Sequence, residues 1–132
     1  MTVLYALAAS LNYLVANTSN LSEISVGYST KWGDCVGDFA PLANLTKTEV
    51  CELGLGLGLP KTLVQKSPCD GLTGKTDEDN LGITYENLDS YIRTGKINKD
   101  TEDILRLHKI SAHKRNGIAK FESGYKNFLE GK

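Results

Sequence analysis

The chain has 132 residues, the length of one domain or part of one, and is 40% hydrophobic and 23% charged. Its 15 basic and 16 acidic residues leave a formal net charge of −1, which gives no reason to expect nucleic acid or an anionic membrane as a partner. The 3 cysteines include no CxxC pair, which argues against a zinc site and a disulfide scaffold. Unpaired thiols are typical of a reducing compartment, so we expect a cytoplasmic protein.

The apolar segment from Met1 to Ala16 predicts the first helix. It is too short to span a bilayer and has no basic residues at its start, so we expect neither a membrane span nor a signal peptide. Apolar side chains cover both of its sides, which predicts a buried helix within a larger protein or an oligomer. The tripeptide at 14–16 is a candidate short strand.

Two capping boxes predict the next helices. Asn20 with Glu23 three residues later opens a short helix, and Thr46 with Glu49 opens a helix from Lys47 to about Leu57. The glycine–leucine alternation at the end of the second helix lacks the lysine and Ser/Thr of a P-loop, so we interpret it as a helix end.

A long glycine-rich loop is predicted at 27–44, between the two capped helices. After them the sequence predicts a short helix or turn at 61–67 and a polar loop at 68–82. Two longer helices follow: one from Thr84 to about Thr94, and a last one that starts at Asp100 or Thr101 and runs to about Arg115. Five helices and few strand signals indicate a largely helical chain that needs a partner layer.

Several side chains have both a functional and a structural interpretation. Glu23, the single charge in the first thirty residues, suits a hard cation such as Mg²⁺ or completes a capping box. Lys47 is electrostatically unfavourable in the first turn of a helix, whose free N–H groups attract anions, so it indicates an anionic partner or is a surface lysine. Lys31, Asp34 and Asp38 lie on the first glycine-rich loop as ligand groups or turn caps.

The remaining candidates lie further along the chain. The acids of the second loop, at 77–79, do not match an EF-hand, so we interpret this loop as a solvated lid. The basic run His113-Lys114-Arg115 suits the negative end of the last helix, and a structural explanation is sufficient for it.

Five blocks of the sequence, in order, resemble segments of the NAD synthetases. They are LVANTSNLSE (14–23), similar to V-x-G-T-x-N-x-S-E; VGYSTKWGDCVGDFAPL (26–42), similar to G-Y-x-T-K-x-G-D-x-x-x-D-x-x-P-L; LTKTEV (45–50), similar to L-x-K-x-x-V; the stretch 66–89, similar to K-x-P-[ST]-x-x-L…D-E-x-x-L-G-x-x-Y-x-x-L-D; and the H-K-R at 113–115. The resemblance runs from Met1 to about residue 119 in one register.

The resemblance covers the C-terminal half of that enzyme. It implies that residues 1–132 are the C-terminal part of a single synthetase domain with an α/β fold, the Rossmann-like fold of the PP-loop ATP pyrophosphatases, mostly helical in this half. The pyrophosphate-binding S-G-G-x-D-S motif of the family occurs nowhere in this sequence. We therefore expect the isolated chain to be inactive.

The family amidates deamido-NAD⁺ with ammonia, using ATP and Mg²⁺ and passing through an acyl-adenylate. The resemblance implies that Glu23 binds Mg²⁺, that Thr18, Lys47 and Cys69 lie at ATP, and that the enzyme is a homodimer. Four further residues would hold deamido-NAD⁺: Lys31, Asp38, His113 and Lys114. The loop at 70–80 resembles the family's lid.

Two positions depart from the family's pattern. Cys69 occupies a Ser/Thr position expected to hydrogen-bond ATP, and a thiol is a weak donor and acceptor. Asn17 replaces a glycine, and Asn tolerates left-handed backbone angles better than most residues.

Two alternatives remain open from the sequence. The chain is either part of an ammonia-dependent synthetase or a non-catalytic remnant that dimerises or binds a nucleotide. A glutamine-dependent relative is the second alternative, although the N-L-S-E wording at 20–23 and the H-K-R run favour the ammonia type.

Overall fold

The computed structural model describes residues 1–69, 71 and 74–121, and this part of the chain is mostly helical, as the sequence predicts. The helices in chain order are α1 (Thr2–Leu11), α2 (Leu21–Val26), α3 (Lys47–Gly56), α4 (Lys61–Val64), α5 (Asp77–Leu81), α6 (Tyr85–Thr94), α7 (Thr101–Ile110) and α8 (Ala112–Arg115). The β-structure of the described residues is one isolated parallel bridge between Ala16 and Phe39. No helix among them has the length and apolarity needed to cross a bilayer.

Both predicted capping boxes are present. The Asn20 side chain accepts the Glu23 N–H at 3.0 Å, and the Glu23 carboxylate accepts the Asn20 N–H at 3.1 Å. The Glu49 carboxylate likewise accepts the Thr46 N–H at 2.8 Å. Hydrogen bonds from the Arg93 side chain on α6 are the main cause that lowers the pKa of Glu49 to about 2, so this carboxylate stays charged and ties α3 to α6.

The core lies where α2, α6 and α7 pack together. Its buried side chains are Val26, Ile83, Tyr85, Leu88 and Ile104. Leu88 has no exposed surface, whereas Leu57 at the end of α3 is 72% exposed. A small apolar core therefore joins the end of α2 to α6 and α7.

The first helix is exposed in this chain, so its predicted burial within a larger protein or an oligomer stays a prediction. α1 has no buried residue, and the side chains of Val3 and Leu7 are 72% and 54% exposed. The helix also ends earlier than its apolar pattern, because Asn12 takes a left-handed conformation with φ of 55°. Residue Ala16 is thereby released to pair with the loop residue Phe39.

The last predicted helix is divided at Ser111, between α7 and α8. Gly27, at the end of α2, has φ of +68°, and a Cβ atom built there would lie 2.2 Å from the Ser111 Cβ. Only glycine permits this approach. The contact brings α8, with its basic run, against the end of α2.

Replacing the fully buried Leu88 with alanine tests the position of the core. We expect Leu88→Ala to lower the free energy of unfolding by about 2–5 kcal/mol, because it leaves a cavity where the helices meet. Urea denaturation measures this loss. The exposed Leu57→Ala is the matched control, with an expected change below about 0.5 kcal/mol, and equal losses in the two variants would contradict this core.

Candidate functional site

The starts of α2 and α3 bring an acid and a base together. Glu23 is the third residue of α2, Lys47 is the first residue of α3, and the Lys47 Nζ lies 4.0 Å from the Glu23 Oε1. The two side chains are only 20% and 28% exposed for Glu23 and Lys47 respectively. The ammonium also lies 5.6 Å from the centroid of the Tyr85 ring, which gives it a cation–π contact.

Burial is the dominant influence on Glu23. Loss of solvent raises the pKa of its carboxyl, and the negative charge of Asp77 adds to this effect. Hydrogen bonds from Asn20 and the charge of Lys47 act in the opposite direction, but the net pKa stays above the ordinary glutamate value. A bound cation would favour the charged form of this carboxylate.

Asp77 is a second acid at the same place. It is the first residue of α5 and only 6% exposed, and its Oδ2 accepts the Tyr85 hydroxyl at 3.3 Å. Its Oδ1 is buried and has no hydrogen-bond partner among the residues that the structure describes. Burial, together with the charges of Glu23 and Asp77, raises the pKa of Tyr85, so its hydroxyl stays protonated and donates. An unpaired buried carboxylate oxygen is costly and indicates a bound partner.

Glu23 and Asp77 border a cavity of about 590 Å³. Five of the candidate residues from the sequence line it: Thr18, Glu23, Asp34, Cys69 and Lys114. Asp77, which was not predicted as a site residue, lines it as well. Lys47 and Cys69 border an adjoining cavity of about 340 Å³, so Cys69 lies at both.

The donor set fits Mg²⁺ better than a transition metal. No three His, Cys, Asp or Glu side chains within residues 1–69, 71 and 74–121 converge as a metal cluster. Two carboxylates, of which Asp77 has an unpartnered oxygen, stand beside an open cavity. Mg²⁺ is commonly held by one or two carboxylates, and phosphate and water complete its coordination.

The expectation that Lys47 stands among free helix N–H groups is wrong. The Lys47 N–H donates to the Ser22 hydroxyl at 2.9 Å, and the Thr48 N–H donates to the Asp89 carboxylate at 2.8 Å. The third N–H of α3, from Glu49, donates to its N-cap residue. The start of α3 is therefore already satisfied by protein groups, and Lys47 itself provides the positive charge that faces the site.

Three of the residues predicted to hold deamido-NAD⁺ lie away from the larger cavity. Lys31 stacks over the neighbouring Trp32 ring at 5.3 Å, and Asp38 accepts the Val15 N–H at 2.7 Å. His113 is exposed and lines a third cavity of about 380 Å³. None of the three borders the cavity of Glu23.

Lys114 connects α8 to the loop that follows α2. Its ammonium donates to the backbone carbonyls of Gly27 at 2.7 Å and Ser29 at 2.6 Å while it lines the larger cavity. It also borders the third cavity together with His113. An ammonium has three donors, so a further hydrogen bond to a ligand is compatible with both contacts.

Asn17 is accommodated without a left-handed backbone. Among the described residues, Asn12 is the non-glycine residue with a positive φ. The Asn17 side chain instead accepts the Ser19 N–H at 2.8 Å. A Cβ atom on Gly37 would lie 2.7 Å from the Asn17 backbone nitrogen, so the required glycine stands opposite Asn17.

The predicted lid is partly helical. Residues 70, 72 and 73 lie outside the described residues, while Asp77–Leu81 forms α5 behind an Asp79–Thr76 capping box. Sequence reasoning placed Asp77 on a solvated loop, and it gave no site role to Tyr85 or Asp89, although both match the family pattern quoted for the stretch 66–89. The available local signal was Thr76 followed by Asp79, which marks a helix start and so places Asp77 at its first position.

The chain is similar to known proteins over most of its length. The family model for NAD synthase matches residues 1–127. The chain is 48% identical over 117 residues to the NH₃-dependent NAD⁺ synthetase of Carboxydothermus hydrogenoformans, a match that covers 87% of this chain and 48% of that protein.

Two solved structures give the same result. The chain superposes on the NMN synthetase of Francisella tularensis with a TM-score of 0.85 at 40% identity, over 92% of this chain and 52% of the other. It superposes on the NH₃-dependent NAD synthetase of Campylobacter jejuni, solved in complex with nitrate, with a TM-score of 0.67 at 27% identity, over 92% and 51%.

The fold and the site therefore define a mostly helical fragment of the α/β fold of these synthetases. The chain belongs to the NAD synthase family. It spans about half the length of the curated relatives it matches.

The raised pKa of Glu23 predicts a pH-dependent stability. An acid whose folded pKa exceeds its unfolded pKa stabilises the folded state at low pH, and this contribution is lost as pH rises through the folded pKa. Glu23→Gln keeps the capping acceptor but has no such loss. We expect its free energy of unfolding, relative to the unmodified chain, to increase from about pH 4 to about pH 7.

Urea denaturation across this pH range measures the difference. The control is Glu52→Gln, which makes the same substitution at an exposed glutamate of α3 and so lacks the effect of burial. A pH-independent difference for Glu23→Gln would contradict the burial of the Glu23 carboxylate.

Proposed function

We propose that this chain is the C-terminal half of an NAD synthetase that amidates deamido-NAD⁺ with ammonia and ATP, and that it supplies the Mg²⁺ ligands and a cation for the phosphates. The observation that carries the proposal is the unpartnered buried oxygen of Asp77, next to the cavity that Glu23 also lines. Lys47 adds a positive charge held 4.0 Å from Glu23. Membership in the family supplies the reaction.

The proposed reaction has two steps, adenylation of a carboxylate and amidation of the product. A carboxylate oxygen of deamido-NAD⁺ attacks the α-phosphorus of ATP and releases pyrophosphate, which leaves an acyl-adenylate. Ammonia then attacks the acyl carbon and releases AMP and a proton, which yields the amide of NAD⁺. Negative charge develops on phosphate oxygens in the first step, so preorganised positive groups contribute most to its rate.

In this proposal Lys47 donates to the phosphates, and Glu23 and Asp77 hold Mg²⁺. When bound, Mg²⁺ polarises the phosphate oxygens and offsets their charge. Tyr85 keeps Asp77 in place through its hydroxyl and supports the Lys47 ammonium with its ring. The buried surroundings strengthen each of these charge interactions.

The remaining roles follow the family's pattern. Thr18 and Cys69 line the larger cavity on the ATP side. Four residues are proposed to contact deamido-NAD⁺ in the assembled enzyme: Lys31, Asp38, His113 and Lys114. Three of these lie outside the larger cavity, so in this proposal they contact a part of deamido-NAD⁺ that extends beyond it.

A homodimer in the cytoplasm is part of the same proposal. The exposed apolar side chains of α1 support an assembly, because an apolar helix side of this extent is normally covered. The three free cysteines are consistent with a reducing compartment.

A second candidate product is NMN. The structure that superposes with a TM-score of 0.85 is that of an NMN synthetase, and it shares 40% identity with this chain. The same adenylation chemistry on the acid form of the mononucleotide would yield NMN, so the assay below includes both acids.

A chimaera tests the proposed function. Residues 1–132 replace the matching half of the Carboxydothermus hydrogenoformans relative, and the chimaera is assayed with ATP, Mg²⁺, ammonia and either acid. We expect stoichiometric pyrophosphate and NAD⁺ from deamido-NAD⁺, and no pyrophosphate from the 132-residue chain alone. A folded but inactive chimaera, or turnover by the chain alone, would contradict the proposal.

Lys47→Met in the chimaera tests the proposed phosphate contact. We expect the rate of pyrophosphate release to fall by about a hundredfold, the typical effect of removing one preorganised donor. Lys61→Met is the matched control, since Lys61 is the exposed first residue of α4. A near-normal rate in Lys47→Met would remove Lys47 from the phosphate site.

A further inference from the structure

Asp89 lies on α6 with its carboxylate buried between the starts of α2 and α3. It is 6% exposed and borders none of the three cavities described above. Its Oδ1 accepts the Ser22 hydroxyl at 2.5 Å, and its Oδ2 accepts both the Thr48 N–H at 2.8 Å and the Thr48 hydroxyl at 2.7 Å. Both oxygens are bonded to protein donors, so Asp89 is not a ligand-binding group.

The partners of Asp89 are the sequence neighbours of the two charged site residues. Ser22 precedes Glu23 on α2, and Thr48 follows Lys47 on α3. The Ser22 hydroxyl oxygen also accepts the Lys47 N–H at 2.9 Å. A continuous set of hydrogen bonds therefore runs from α6 through Ser22 to the backbone of Lys47.

We propose that Asp89 is a positioning residue of the ATP site: its carboxylate bonds to Ser22 and Thr48, and through them it sets the placement of the Lys47 ammonium against Glu23 and Tyr85. The identity of the ligand rests on the function proposed above, whereas the placement of the side chains does not. Asp89 acts through charged hydrogen bonds, which are shorter and stronger than neutral ones.

The charge of Asp89 also explains why a lysine is tolerated at the start of α3. A cation in the first helical turn is repelled by the helix dipole. The Asp89 carboxylate accepts two hydrogen bonds from the adjacent Thr48 and places a buried negative charge in this turn. The Asp89 carboxylate thus offsets the repulsion between the Lys47 ammonium and the helix dipole. Lys47 can then border the cavity of about 340 Å³ at no further electrostatic cost.

Asp100 provides a matched control within the same chain. It is also a buried aspartate, 8% exposed, and it accepts the Thr84 N–H at 3.1 Å and the Asn87 side-chain amide at 2.8 Å. Like Asp89, it satisfies the start of a helix, but its partners are not adjacent in sequence to Glu23 or Lys47. Its partner Thr84 precedes Tyr85, so loss of its charge disturbs a helix start next to the ring but not the start of α3, and we expect Lys47 to keep its place.

The test compares Asp89→Asn and Asp100→Asn in the unliganded chain by NMR. The ε-methylene protons of Lys47 should show an upfield ring-current shift and nuclear Overhauser contacts with the Tyr85 ring, because its ammonium lies over that ring. We expect Asp89→Asn to abolish both signals. Asp100→Asn should keep them while its melting temperature falls.

Ser22→Ala provides a second variant in case Asp89→Asn does not fold. It removes the link to the Lys47 backbone but retains the bonds between Asp89 and Thr48. We expect the same loss of the Lys47 signals. Unchanged Lys47 signals in a folded Asp89→Asn or Ser22→Ala variant would overturn the proposal and leave Asp89 a structural role only.

Kinetics of the chimaera separate this proposal from the proposed function. We expect Asp89→Asn to raise the KM for ATP about tenfold, equivalent to about 1.4 kcal/mol, with little change in the KM for deamido-NAD⁺. A loss of the Lys47 signals without a change in ATP kinetics supports the positioning role and contradicts the assignment of Lys47 to ATP. A raised KM with unaltered Lys47 signals contradicts the positioning role.

Discussion

The carboxylate of Asp89 joins the starts of two helices to the side of a third. It accepts hydrogen bonds from Ser22 on α2 and from Thr48 on α3, next to the fully buried Leu88 on α6. The β-structure of the described residues is one isolated bridge, so these helices are held together by side-chain contacts such as this one and not by a sheet. Ser22 precedes Glu23 and Thr48 follows Lys47, so the distance between the Glu23 and Lys47 side chains depends on the Asp89 carboxylate.

The site itself opposes stability. Burial raises the pKa of Glu23, and Asp77 has an oxygen without a partner among the described residues. Each is unfavourable in the free chain, and in the function proposed above a cation and a phosphate would offset this cost. The capping boxes and the small core stabilise the folded chain and offset this cost. Unfavourable local features of this kind are common at binding sites, where the surrounding structure compensates for them.

Sequence rules that relate residues a few positions apart predicted the helix starts correctly. The capping boxes of α2 and α3 connect residues three positions apart, and both are present. Asp89 and Ser22 are 67 positions apart, so no spacing rule joins them, and the free N–H groups expected at α3 are absent for that reason. Apolar periodicity predicted α1 but not what covers it, because periodicity identifies an apolar side without its partner.

Chemistry and position identified Glu23 and Lys47 as candidates, the family resemblance gave each proposed site residue its ligand, and burial adds Asp77 and Tyr85. The most direct measurement uses Mn²⁺ as a paramagnetic substitute for Mg²⁺, together with ATP, in an NMR experiment on the chain. Line broadening centred on the amides of Glu23 and Asp77, and reaching Lys47, is the predicted result. Broadening centred on the exposed acids Glu102 and Asp103, or spread over all surface acids, would contradict a cation site between α2, α3 and α5.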